Sequence, residues 1–203
     1  MPNYCNNLLE VSGDATELKA FLSKGISEET IEWSKSTDMV WRMSNYYPTP
    51  SELDNTDYPN DKPSEDLIQK YGYNNWYSWR IENWGTKWDC TADSDSYHTD
   101  NETYFNCEFD SAWSPPCAWL EHVIKAFPNL EFKMYFMETG CWFCGVAYSH
   151  EGEMVREDDE PKRYSDSTGF EVHFDSEKEV YIDSQGTEID DEDVIEENPF
   201  ERR

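Results

Sequence analysis

Cys141 and Cys144, in Gly140-Cys141-Trp142-Phe143-Cys144-Gly145, are the side chains in this chain best spaced for metal or redox chemistry. A tight turn aims such a pair at one zinc ion, and the same spacing serves a redox dithiol. A tetrahedral zinc site needs two further ligands. The other cysteines, Cys5, Cys90, Cys107 and Cys117, supply no second pair at that spacing. On a straight strand, residues three apart also point to opposite faces. Free thiols, with no metal and no cofactor, are therefore the expectation. His98, His122, His150 and His173 are scattered, and no metalloprotease, nucleophile-elbow or phosphate-loop string occurs. Asp93-Ser94-Asp95-Ser96 opens like a calcium loop but lacks the glycine and the closing glutamate that loop requires. No catalytic residue is assigned. A small metal- or thiol-dependent enzyme using Cys141, Cys144 and a histidine is the alternative reading.

Charge offers a different kind of chemistry. The chain has 44 acidic and 16 basic residues, a formal net charge of −28. Residues 151–203 hold 20 of the acids and 6 of the bases, so the last quarter of the chain carries half the charge. Such a protein is repelled by nucleic acid and by anionic membranes and attracted to basic proteins. The densest run, Asp190-Asp191-Glu192-Asp193 with Glu196 and Glu197, is the candidate partner-binding group. The tryptophans of Asn74 to Cys90 could instead stack bases, but Arg80 and Lys87 are the only bases near them. Single-strand binders pair their aromatics with a basic groove. Packing, with a cation resting on an indole face, is the better reading.

The elements that must carry these groups follow from periodicity. Leu8 to Val11 reads as a strand, Asp14 as an N-cap with Glu17 completing a capping box, and Leu18, Phe21 and Leu22 as one helical face. Residues 29–46, with Ile31, Trp33, Val40 and Trp41, read as one or two strands, and the proline-rich 47–66 as a long loop. Asp89 to Glu102 is polar and reads as a loop, followed by a strand from Thr103 to Phe109. Ser114-Pro115 starts a second helix with Leu120, Val123, Ile124 and Phe127 inward. Leu130, Phe132, Met134 and Phe136 alternate as a half-buried strand, with Gly140 to Tyr148 beside it. Two β-α-β units of this kind pack as helices on one face of an antiparallel sheet, an α+β ferredoxin-like fold.

The expected organisation is a ferredoxin-like domain over 1–150 and an acidic region over 151–203. In that second region Arg156 to Gly169 reads as a charged linker, Phe170 to Ile182 as a hairpin turning at Asp175 to Lys178 and continued past Gly186, and the acidic run from Asp190 as a frayed tail. No stretch approaches the ~20 apolar residues of a membrane helix, and Met1 to Glu10 lacks the pattern of a secretory leader. A cytoplasmic location is expected.

Four strings, in order, carry a family resemblance. They are Met1-Pro2-Asn3-Tyr4-Cys5-Asn6-Asn7, Tyr47-Pro48-Thr49-Pro50-Ser51-Glu52-Leu53, Trp76 to Asp89 with its Asn83-Trp84-Gly85-Thr86-Lys87-Trp88 core, and Phe109-Asp110-Ser111-Ala112-Trp113-Ser114-Pro115-Pro116. Together they resemble the YubB ferredoxin-like family, although that family usually has Trp where Tyr4 stands. The resemblance implies the same fold and an accessory protein of phages, plasmids and pathogenicity islands, with no established chemistry. The function expected from the resemblance and the charge is inhibition of a host defence or DNA-handling protein with a basic surface, by acidic DNA mimicry. A binding module with an unrelated partner is a further alternative.

Overall fold

The computed structural model describes residues 3–31, 35–59, 64–100, 102–167, 169–176, 178–199 and 201. Met1-Pro2 of the opening string, Trp33, Pro63 and Glu177 of the expected turn lie outside the described residues.

Strand β1 (Tyr4–Gly13) leads into helix α1 (Ala15–Gly25). An excursion follows: β2 (Ile26–Ile31), β3 (Ser36–Arg42), α2 (Ser51–Asp54), α3 (Glu65–Tyr71), α4 (Trp76–Trp84) and β4 (Thr91–Ala92). The chain returns as β5 (Tyr97–Asp100), β6 (Tyr104–Ala112), α5 (Cys117–Ala126), β7 (Leu130–Glu138), β8 (Phe143–His150) and β9 (Glu153–Asp159). Beyond these come β10 (Lys162–Ser165), β11 (Val172–Asp175), β12 (Val180–Asp183), β13 (Glu188–Ile189) and β14 (Val194–Glu197).

The main sheet has the order β5-β6-β1-β7-β8-β9, with every neighbouring pair antiparallel. Because β1 lies between β6 and β7, the unit β6-α5-β7 is split around it. Because β6 lies between β1 and β5, the long unit β1-α1-β5 is split in the same way. The order β7-β1-β6-β5 is the ferredoxin-like arrangement, and β8 and β9 widen it.

Both helices turn their apolar stripes to one face. Leu18 and Phe21 of α1, Leu120, Val123 and Ile124 of α5, and Leu9, Val11, Phe132 and Met134 of the sheet are buried in one cluster, with Leu22 and Phe127 at its margin. Fully burying a side chain of this size contributes about 1.5–3 kcal/mol. Asp14 caps α1, accepting from the backbone N–H groups of Thr16 and Glu17 at 3.0 Å each. Glu17 closes no capping box: it accepts from Asn129 Nδ2 at 2.5 Å and ties α1 to the turn before β7.

The excursion is fastened by the strings that carry the family resemblance. Trp84 Nε1 donates to Tyr47 O at 2.8 Å, and Arg80 Nε to Thr49 Oγ1 at 3.0 Å. The fully buried Thr86 accepts from the Ala112 N–H at 2.8 Å, and Ser114 Oγ donates to Gly85 O at 2.6 Å. Trp113 N donates to Asn3 O at 3.0 Å. The four strings thus meet in space and bond to one another. Gly85, at φ 84°, ends α4 in the left-handed region, where a Cβ would also approach Pro115 O to 3.2 Å.

Several expected boundaries move. The polar stretch Asp89 to Glu102 contains β4 and the edge strand β5. The 47–66 loop contains α2. Helix α5 starts at Cys117, with Pro116 at its N-cap position, because Ser114 is engaged with Gly85. The expected linker from Arg156 holds the end of β9 and all of β10. β11 and β12 pair antiparallel with Asp175 opposite Val180, β13 adds a third strand, and β14, within the expected frayed tail, pairs with β10 in a second small sheet. The main sheet ends at Asp159, past the expected boundary at 150. Among the described residues no helix is long and apolar enough to cross a membrane.

Candidate functional site

The two spaced cysteines do not form a pair. Cys144 is buried on β8 and Cys141 is exposed in the turn before it. The Glu138 carboxylate holds that turn, accepting from the Gly140 N–H at 2.8 Å and the Cys141 N–H at 2.6 Å. Its hydrogen bond and negative charge raise the Cys141 thiol above the usual cysteine range. Burial, and then the Asp159 charge, push Cys144 up to about 12. Nucleophilic and metal-binding cysteine is thiolate, so both sites run against that chemistry. Among the described residues no group of three or more His, Cys, Asp or Glu side chains is placed to hold a metal ion. Cys141 is accordingly expected to react with iodoacetamide at pH 8 more slowly than a cysteine in an unstructured peptide, and Glu138→Gln to speed it. Alkylation faster than the peptide's would contradict this account of the turn.

The tryptophan-rich segment packs. Trp79 and Trp84 are buried, and the Arg80 guanidinium carbon lies 5.0 Å and 4.8 Å from the ring centres of Trp76 and Trp84. Arg80 is further held by Asp54 at 2.6 Å. Lys87 Nζ stands 5.6 Å from the exposed Trp113 ring.

The acidic run is divided by its surroundings. Asp190, Asp191 and Glu192 are exposed. Asp193 accepts from Ser165 Oγ at 2.7 Å, Ser167 Oγ at 2.8 Å and Ser167 N at 3.0 Å, and those bonds lower its pKa. Glu196 pairs with Arg163 Nε at 3.1 Å. The Arg163 guanidinium carbon also lies 3.8 Å from the Trp142 ring centre and 5.7 Å from that of Tyr181. Glu197, half-buried, lies opposite Lys162 in the β10–β14 pair. Three of the six carboxylates are therefore free to meet a partner and three lie within the local architecture.

A second acidic surface has no counterpart as a run in the sequence. On the main sheet, residues alternate between the helix-covered core and the opposite face. Asn6, Leu8, Glu10 and Ser12 alternate with buried Cys5, Asn7, Leu9 and Val11. Register then places Glu108, Asp110, Glu131, Glu157 and Asp159 on the same face as Glu10. Across these strands Lys133 is the ammonium group among the described residues of that face. A small apolar cluster of Leu8, Tyr135, Val146 and Tyr148 lies at its centre. The C-terminal segment reaches part of it: Asn198 is buried and donates to Phe136 O at 2.9 Å and Gly145 O at 3.0 Å, and Glu201 borders a hollow with Asn6, Leu8 and Met137. Burial, then the charges of Glu197 and Glu108, raise the Glu201 pKa. Alternating strand residues lie ~6.8 Å apart and neighbouring strands ~4.8 Å apart, so this face is a fixed array of anions on a rigid support.

Comparison with known proteins gives a family and a loose structural likeness. Residues 83–197 match the family model described as the ferredoxin-like domain in Api92-like protein. The crystal structure of a protein Api92 from Yersinia pseudotuberculosis is similar at 10% sequence identity with a TM-score of 0.44, covering 79% of this chain and 98% of that one. No curated protein matches the chain.

Proposed function

Since the chain belongs to the family of Api92-like proteins that carry this ferredoxin-like domain, we propose that it is a binding protein whose carboxylate surfaces engage a basic partner. The observation that carries the reading is the helix-free sheet face, with Glu10, Glu108, Asp110, Glu131, Glu157 and Asp159 set against Lys133. Asp190, Asp191 and Glu192 add a second exposed group, while Asp193, Glu196 and Glu197 support the strand that presents them. Duplex DNA carries one charge per ~1.7 Å of axis. A rigid acidic surface competes for the same groove on a DNA-handling protein and speeds encounter by long-range steering.

The YubB resemblance supports the setting: an accessory protein of a phage or plasmid that inhibits a host defence or DNA-handling protein in the host cytoplasm, without binding nucleic acid itself. The raised thiols of Cys141 and Cys144 give the enzyme alternative no support. The test is capture from a bacterial lysate on the immobilised protein, with duplex DNA as eluent. Basic DNA-binding proteins released by DNA are expected. A captured partner that still binds DNA while attached would overturn the mimicry reading.

A further inference from the structure

One end of the helix-free face is hollow. A cavity of about 950 Å³ opens there and runs over the end of the sheet: Glu10, Tyr104, Lys133, Tyr148 and Glu157 line its part on this face, Ile124 and Phe132 its part on the helix side, and the β8–β9 turn at His150 to Gly152 borders it. Its polar wall is preset. Tyr104 OH donates to Glu10 Oε1 at 2.9 Å and accepts from Asn106 Nδ2 at 3.2 Å. Tyr148 OH donates to Glu157 Oε1 at 2.8 Å. Each phenol fixes one carboxylate oxygen and leaves the other to a further donor. The same face already holds a cation against a ring, since Lys133 Nζ lies 4.6 Å from the Tyr135 centroid. Lys133 belongs to this chain, so a partner's cation entering beside it meets one like charge among several opposite ones.

We propose that this cavity receives arginine side chains from an extended basic segment of the protein partner. The inference rests on the protein-binding reading above and adds to it a place and a chemistry. Arginine fits better than lysine. Its planar guanidinium stacks on a tyrosine ring while donating in pairs to a carboxylate, and it is the more weakly hydrated cation. Glu10 on β1 and Glu157 on β9 are separated by β7 and β8, three strand spacings or ~14 Å, so a segment carrying more than one cation reaches both and a single small amine does not. Among the described residues, the C-terminal segment, pinned by Asn198, meets the other half of the face, where Glu201 borders Asn6, Leu8 and Met137.

The probe is a ten-residue peptide of alternating arginine and serine, titrated calorimetrically into the full chain at about 0.15 M salt, where the Debye length is ~8 Å. Saturable one-site binding is expected. Glu10→Gln with Glu157→Gln is expected to weaken it about tenfold, the effect of losing close charge pairs. Lys133→Met is expected to strengthen it about threefold by removing the resident like charge. That gain cannot arise from unfolding. Neutralising Asp190, Asp191 and Glu192 to Asn, Asn and Gln should leave the affinity within about twofold, because none of the three lines the cavity and at this salt exposed charges are screened within ~8 Å. If the tail variant weakens binding while the Glu10/Glu157 and Lys133 variants do not, the cavity assignment is overturned and the protein-binding reading stands on the tail. If the wild-type chain shows no saturable binding of the peptide, the arginine assignment is overturned, whatever the lysate capture returns.

Discussion

Replacing Trp119 with alanine is expected to destabilise the protein by about 3–5 kcal/mol and to lower its melting temperature by roughly 6–20 °C. Trp119 is fully buried on α5. Its ring meets Trp41 edge-on at 5.7 Å and Tyr46 at 5.8 Å, and its Nε1 donates to Met43 O at 3.0 Å. One side chain therefore joins the second helix of the ferredoxin-like unit to the inserted excursion. Tyr46 continues the chain of contacts, stacking 4.5 Å from Phe21 of α1 and donating to Phe21 O at 3.1 Å. Alanine removes the indole volume and leaves a buried carbonyl without its donor, two losses that add. Trp119→Phe keeps most of the volume and should lose only about 1–2 kcal/mol. Equal losses for the two variants, read by thermal melting, would mean that packing at this site carries little.

Raising sodium chloride from 50 to 500 mM is expected to slow association with a basic partner on the order of 10²-fold while changing dissociation little. Steering acts on the approach, and it is screened within ~10 Å at 0.1 M salt. Reversing Glu108 and Glu131 to Lys on the sheet face should act in the same direction, as should reversing Asp190, Asp191 and Glu192. These are exposed, and surface substitutions of this kind usually change stability by under ~0.5 kcal/mol. Asp193 and Glu196 are poor choices for such a test, because they bond to Ser165, Ser167 and Arg163. Association measured by surface plasmon resonance that ignores both salt and these reversals would make the acidity irrelevant to binding.

The hydrophobic periods of Leu18, Phe21, Leu120, Val123 and Ile124, and of Phe132 and Met134, were enough to place two helices and a sheet around one core. What periodicity hid was the edges. β5 reads Tyr97-His98-Thr99-Asp100 and β9 reads Glu153-Met154-Val155-Arg156-Glu157-Asp158-Asp159. Edge strands carry polar and charged residues that discourage further pairing, so they look like loops and linkers in a sequence. The tail was visible as a run, but composition cannot tell Asp190, which faces solvent, from Asp193, which holds two serines. The sheet-face carboxylates were invisible for the opposite reason. Glu10, Glu108, Glu131 and Glu157 are far apart along the chain, and only the register of β1, β6, β7, β8 and β9 brings them to one surface. The four resemblance strings fared differently again. They read as a family mark, and their spatial meaning, a junction of Tyr47, Trp84, Thr86, Ala112 and Asn3, needed the fold.

In the proposed function these carboxylates take the place of nucleic acid on a basic partner. The measurement that reaches it most directly is a competition titration. The captured partner is saturated with a fluorescent DNA duplex, and this protein is added while anisotropy is followed. Full displacement of the DNA is expected, weakened by reversal of Glu108 and Glu131 and by added salt. A ternary complex, in which the partner holds the duplex and this protein together, would contradict it.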